Sequence, residues 1–213
     1  MRKLLNSHQS TTATVIGLLR HGKTLWNEER RIQGRKNSPL SENGAKEVHQ
    51  WGEFLHNVSI DQIVSSDLGR VKETVAIIQK YIPSVPVEYT ASLREQSWGD
   101  WEGKTFDYLR LHHADELKKQ VDAGWDFCPP GGESRRQVLT RALAAITDFT
   151  DRFPGEQILL VSHEGIVKSV IYHLAGRAFL PEEKKIIQKR QLHLIFESDH
   201  KLVLGPLNIF PTE

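Results

Sequence analysis

Leu18-Leu19-Arg20-His21-Gly22-Lys23-Thr24-Leu25-Trp26-Asn27 is the stretch on which the reading of this chain turns. Residues 14–19 are short, apolar and β-branched in part, the pattern of a buried strand. The strand ends abruptly in Arg20-His21-Gly22, and polar sequence follows. A guanidinium and an imidazole are thereby set side by side at the carboxyl end of a strand. Neutral histidine is a good nucleophile toward phosphorus, and arginine grips phosphate oxygens through two parallel donors.

Outward from this strand, the apolar periodicity alternates between strand and helix. Ser41 reads as the N-cap of a helix carrying Ala45, Val48, Gly52 and Leu55. Residues 60–65 form a second apolar run. Asp67 is expected to cap the next helix, with Leu68, Val71, Val75 and Ile78 on one face, ended by Pro83 and Pro86. Residues 87–89 read as a third strand. Residues 91–104 form an ordered loop anchored by Trp98 and Trp101, and 106–121 read as a rather polar helix. After a Pro-Pro-Gly-Gly loop, Ser134-x-x-Gln137 is a capping box that opens a helix with Val138, Ala142, Ile146 and Phe149 inward. Residues 157–162 are a further strand. The stripe Ile166, Val167, Val170, Ile171 and Leu174 follows, with Gly176 as its C-cap. Residues 192–196 and 202–204 read as a late hairpin. This order predicts an α/β sheet with helices on both faces.

In open α/β sheets, ligands bind outside the carboxyl ends of the strands. Arg20 and His21 follow the first strand, Arg70 follows the second, and His163 follows the run 157–162. Two arginines and two histidines converging on one crevice make an anion pocket, and a phosphate monoester is its natural occupant. The helix starting near Glu164 adds backbone donors. Flanking cations disfavour protonation of His21, so it stays neutral and nucleophilic. Glu95, on the loop after the third strand, is placed to protonate a leaving oxygen and then to activate water.

Composition narrows the rest. The chain has 213 residues and a formal net charge of +1, so no bulk electrostatics point to nucleic acid or a membrane surface. One cysteine, Cys128, excludes an intrachain disulfide. No run of about 18 apolar residues is present, and residues 1–13 are a polar, flexible tail with no apolar signal-peptide segment. A cytoplasmic location is expected. His112-His113 with Asp115-Glu116 reads as a solvated face rather than a metal site. His163-Glu164 is not a His-Glu-x-x-His motif, because position 167 is Val.

Eight co-linear motifs resemble the histidine phosphatase superfamily, in its phosphoglycerate-mutase-like branch. They begin with Arg20-His21-Gly22 followed by Thr24 and Trp26-Asn27, then Arg31-x-Gln33-Gly34 and Pro39-Leu40-x-x-x-Gly44. They continue through Ser65-Ser66-x-Leu68-x-Arg70, Leu93-Arg94-Glu95, Gly99-x-Trp101-Glu102-Gly103, Pro130-Gly131-Gly132-Glu133-Ser134 and Val161-Ser162-His163. The resemblance spans residues 14 to about 175. It implies His21 as the phosphorylated nucleophile. Arg20, Arg70 and His163 complete the phosphate pocket, and Glu95 is the acid/base. Asn27 is a further phosphate contact, and Thr24, Gln33 and Gly34 lie on the substrate side. It implies no metal and no organic cofactor, and a small phosphate ester as the binding partner. The implied fold is one domain over residues 14–213. Its sheet is mostly parallel with at least one antiparallel strand, and a small cap lies around 105–133.

Within the family, Leu93-Arg94-Glu95-Gln96-Ser97-Trp98-Gly99 looks like the phosphatase members, and the segment from Glu102 to Ser134 is short for a mutase. The expectation is therefore a phosphatase. A phosphoglycerate mutase is the first rival, and a non-catalytic phospho-ligand or phosphoprotein-binding module the second. Three positions depart from the pattern. Asn37 stands where Asp is common. Gly17 interrupts the first strand, where it permits close packing. Glu164 stands where Gly is frequent; turned inward it repels phosphate, and otherwise it orients His163 or contacts a cationic substrate. Arg31 and Arg35 are read either as lining the entrance or as solvated surface.

Overall fold

The computed structural model describes residues 13–211; the N-terminal tail expected over 1–13 therefore lies, but for its last residue, outside the described residues. The strands are β1 (Thr14–Arg20), β2 (Gln62–Ser66), β3 (Val87–Thr90), β4 (Gln157–Ser162), β5 (His193–Ser198) and β6 (Lys201–Leu204). They form one sheet in the order β3-β2-β4-β1-β5-β6. β1, β2, β3 and β4 run parallel, while β5 is antiparallel to both β1 and β6. The expected mostly parallel α/β sheet is what the chain forms.

Side-chain alternation splits the sheet between two cores. Ile16, Leu18, Ile158 and Leu160 face one way and Leu19, Leu159 and Val161 the other, as successive strand residues must. The first face is covered by α6 (Arg135–Arg152) and α7 (Glu164–Leu174), through Val138, Ile146, Val170 and Ile171. The second is covered by α2 (Glu42–His56) and α3 (Gly69–Ile78), through Val48, Leu55, Val71 and Val75. Gly17 lies on this second face; a Cβ there would come within 3.2 Å of Leu192, so the glycine does permit close packing.

Helix boundaries largely follow the local chemistry. Ser41 accepts from the Gly44 amide at the start of α2, and Ser134 with Gln137 forms the expected capping box of α6. Gly176, at φ +64°, stops the chain just past α7. Two expectations are corrected. Asp67 does not cap α3, because both its oxygens take the Arg94 guanidinium at 2.6 Å. The Arg70 amide at the helix start donates instead to Asn37 Oδ1 at 3.0 Å, which gives the unusual Asn37 its role. The polar stretch 106–121 is two helices, α4 (Phe106–His112) and α5 (Ala114–Asp122), because His113 leaves helical geometry. Leu109, Leu117 and Val121 keep helical spacing across the break and pack with Ile32, Trp101 and Phe127 in a small third core. That continuity hides the break from periodicity. The remaining helix, α1 (Leu25–Glu28), is a single turn after β1.

Candidate active site

The carboxyl ends of β1, β2 and β4 deliver Arg20-His21, Ser66 with Arg70, and His163 to one point. The His21 and His163 rings meet edge to face with centroids 5.2 Å apart. Arg70, 1% exposed, runs between them. Its Nε donates to His21 Nε2 at 3.2 Å and one Nη to His163 Nδ1 at 3.0 Å. The rest of the guanidinium is held by the carbonyls of Lys36 and Gly34, each at 2.8 Å. Among the described residues no carboxylate pairs with Arg70, and burial pushes it down to about 10. A buried cation satisfied only by neutral acceptors is a seat for an anion.

The partners fix the tautomers. A carbonyl only accepts, so the contact of 2.7 Å between His21 Nδ1 and the Gly22 oxygen places the proton on Nδ1. Nε2 then carries the lone pair, which Arg70 meets. Burial, more than the charges of Arg20 and Arg70, holds His21 well below its ordinary range. The cations invoked from sequence therefore reinforce a neutrality that desolvation already imposes. His163 is also held neutral, chiefly by burial, and its Nε2–H donates to Ser66 Oγ at 2.9 Å.

Arg20 donates to Glu164 Oε2 at 2.6 Å, while its Nε is buried without a partner. Glu164 thus turns toward the arginine rather than orienting His163. The carboxyl of Glu95 accepts from the amides of Gln96 at 2.8 Å and Gly165 at 3.2 Å. Burial raises its affinity for a proton despite the nearby arginines. Of the backbone donors at the start of α7, the Gly165 amide is therefore engaged by Glu95. A Cβ on Gly165 would lie 2.1 Å from Glu95 Oε1, so a glycine is needed for this seat.

Arg20, His21, Arg70 and Glu95 open into a cleft of about 650 Å³, whereas His163 is fully buried behind Arg70 and does not line it. Asn27, Gln33, Gly34 and Arg31 line it, as does Glu164. Thr24 does not line it: it is fully buried, caps α1 in a box with Asn27 and accepts from Gln33 Nε2. Arg35 also lies outside the lining and reaches Glu133 at 3.3 Å. Trp101 is a buried anchor as read, whereas Trp98 packs at 5.1 Å from Phe127 and also walls the cleft.

Two contributors escaped the sequence reading, and a third, Ser66, stood at the end of the second strand without a role. Ser66 orients His163, Gly165 admits Glu95, and Arg141 clamps the segment that carries Glu95. The Arg141 guanidinium reaches the Ser92 carbonyl at 2.7 Å and the Glu95 carbonyl at 3.2 Å while pairing with Glu133 at 2.7 Å. Glu133 thereby anchors this clamp. The Ser65-Ser66-x-Leu68-x-Arg70 motif contained a signal for Ser66; a lone arginine on a helix face gave none.

The family model of the histidine phosphatase superfamily (branch 1) matches residues 16–194. The chain belongs to that superfamily. It is 38% identical over 148 residues to a probable phosphoglycerate mutase, GpmB, of Salmonella choleraesuis, covering 70% of this chain and 68% of that one. Bacillus stearothermophilus YhfR superposes with a TM-score of 0.85 at 30% identity, covering 92% of this chain and 98% of that one. A mycobacterial glucosyl-3-phosphoglycerate phosphatase does so at 0.80 and 26% identity, covering 93% and 100%. The histidine phosphatase superfamily is catalytic and includes phosphatases and mutases.

Proposed function

We propose that this protein is a metal-independent phosphomonoester hydrolase working through a phosphohistidine at His21. The substrate phosphate sits against Arg20 and Arg70, with the unpartnered Arg20 Nε as a ready donor. His21 Nε2 attacks phosphorus in line as the bond to the ester oxygen breaks. Glu95 gives its proton to that leaving oxygen. In the second step Glu95 takes a proton from water, the water oxygen attacks phosphorus, and the His21–phosphorus bond breaks to release inorganic phosphate. Arg20 and Arg70 stabilise the charge on the transferring group throughout, and His163, fixed by Ser66, holds the Arg70 guanidinium in place through Nδ1.

The observation that favours hydrolysis over transfer back to substrate is the sequence around the acid, Leu93-Arg94-Glu95-Gln96-Ser97-Trp98-Gly99, with the short segment from Glu102 to Ser134, both similar to the phosphatase members. The cleft of about 650 Å³ has room for a small phosphate ester. A second reading, phosphoglycerate mutase, draws on the name of the GpmB relatives. The test is a reaction with chelator present, on 3-phosphoglycerate and a panel of phosphomonoesters, following inorganic phosphate and 2-phosphoglycerate together. Phosphate release from the panel supports the hydrolase. Primer-dependent formation of 2-phosphoglycerate without phosphate release replaces it with the mutase. Tight phosphate-ester binding with neither product replaces both with a binding module.

A further inference from the structure

The cleft is far more cationic than the chain. The whole sequence carries a formal net charge of only +1, yet the basic side chains lining the cleft outnumber its carboxylates by more than two to one. Arg20 and Arg70 suffice for one phosphate dianion. A second group of cations stands apart from them. Arg135 and Lys168 share one aromatic ring: the Arg135 guanidinium lies 4.3 Å and Lys168 Nζ 4.8 Å from the centre of Phe179. Phe127 flanks Arg135 from another side at 4.3 Å. Among the described residues, the Arg135 guanidinium hydrogen-bonds only to the carbonyls of Gly124 and Phe179. Among the described residues, no carboxylate lies within ion-pair distance of Arg135, Lys168 or Lys189; Glu164, one helical turn before Lys168, is held by Arg20.

We infer that the substrate carries a second anionic group, a carboxylate or a second phosphate, held by Lys168, Lys189 and Arg135 beside the aromatic wall of the cleft. This inference rests on the phosphomonoester reading above. Three like charges gathered in a cleft repel one another and lose hydration, a cost that an incoming anion offsets. Burial, then Arg135, Lys185 and Lys189, lower the affinity of Lys168 for a proton against the opposing pull of Glu164, while Arg20 and Arg70 bear on His21. Lys168 lies one turn along α7 from Glu164, whose carboxylate touches Arg20. The second anion therefore sits about one to two helical turns, roughly 5–11 Å, from the transferring phosphorus. Phe127, Phe179 and Trp98 suit an apolar or aromatic body between the two charges.

The test uses non-hydrolysable ligands, so that its outcome is separate from that of the hydrolase reading. Three benzylphosphonates are titrated calorimetrically into the intact protein at low ionic strength. They differ only in the para substituent: 2-carboxyethyl, 2-phosphonoethyl or the uncharged 2-carbamoylethyl. At least one anionic probe is expected to bind tenfold or more tighter than the amide, with the advantage shrinking as salt is added. In the Lys168→Gln, Lys189→Gln double variant the advantage falls below threefold. The ratio is read rather than the absolute affinity, so a general loss of phosphonate binding leaves it unmoved. The relative affinities of the carboxylate and the phosphonate identify the second group. Ratios near one for both anions in the unsubstituted protein, or a tenfold ratio that survives in the double variant, overturn the inference. A preference seen in a protein that releases no phosphate from any ester would instead overturn the hydrolase reading and leave the second-anion site standing.

Discussion

At the scale of single residues, His21 and Glu95 divide the pH axis between them. Burial keeps His21 neutral well below its ordinary value of 6.5, and burial keeps Glu95 protonated above its ordinary 4.5. Hydrolysis needs the first neutral and the second protonated. The acid limb of kcat/KM therefore lies below pH 6.5 and the alkaline limb above 4.5. Glu95→Gln should remove the alkaline limb of phenyl phosphate hydrolysis and keep the acid limb. Comparing the two proteins on one substrate cancels the ionisation of the substrate itself. The same variant should lose about 10²-fold or more on phenyl phosphate, and much less on p-nitrophenyl phosphate, whose leaving group needs little protonation. Equal losses on both would remove Glu95 from the acid role. Most of these residues were legible because they stand at strand ends in motif context. Thr24 was not: a threonine that caps a one-turn helix and one that touches substrate look alike in sequence.

At the scale of elements, the site depends on how closely α7 approaches the segment that carries Glu95. Gly165→Ala puts a methyl group where Glu95 Oε1 now lies. The displaced atom is the end of a flexible side chain, so the fold should survive while the carboxyl moves. Phenyl phosphate turnover is expected to drop about tenfold or more, with the thermal midpoint shifted by only a few degrees. A large fall in the midpoint with turnover kept would contradict this account of Gly165. Arg141→Met should act from the other side, by freeing the Ser92 and Glu95 carbonyls, and should likewise slow phenyl phosphate more than p-nitrophenyl phosphate. Ser134→Ala, which removes the cap of α6, should cost about 1 kcal/mol in denaturant unfolding and leave kinetics alone. The capping serines were readable because a hydroxyl three residues before a free amide is a local pattern. The Asp67–Arg94 and Asn37–Arg70 exchanges were not, since they join residues 27 and 33 positions apart.

At the scale of the molecule, buried neutral imidazoles tie stability to pH. His193, 2% exposed on β5, is pushed down to about 4 by burial, while its Nδ1 accepts from the Asn208 amide at 3.1 Å. Between pH 6.5 and 4 the unfolded chain gains a proton at this position that the folded chain refuses, so stability falls as pH falls. The contribution is about 3 kcal/mol over that window. His21 and His163 act in the same direction. In His193→Gln the stability difference between pH 7 and pH 4, read by urea unfolding, should be about 3 kcal/mol smaller than in the unsubstituted chain. An unchanged difference would show that the imidazole is protonated in the fold. The sheet itself was legible from apolar runs, and the switch to antiparallel β5 came from the family resemblance. The crevice at the strand ends was expected, but the outer lining of the cleft was not legible. It is made by α4, α5 and the Phe127 and Phe179 segments meeting over the strand ends, and no spacing in the chain encodes which of their side chains face one another.

The central claim is a phosphoryl group carried on His21. The direct measurement is a rapid quench of the protein with p-nitrophenyl phosphate into base, followed by peptide mass spectrometry and phosphorus NMR. An acid-labile, base-stable phosphate on the His21 peptide, attached at Nε2 because Nδ1–H is held by the Gly22 carbonyl, is the expected result; the His21→Ala protein should carry none. Phosphate release without any label on His21, or with label on another residue, would contradict the account.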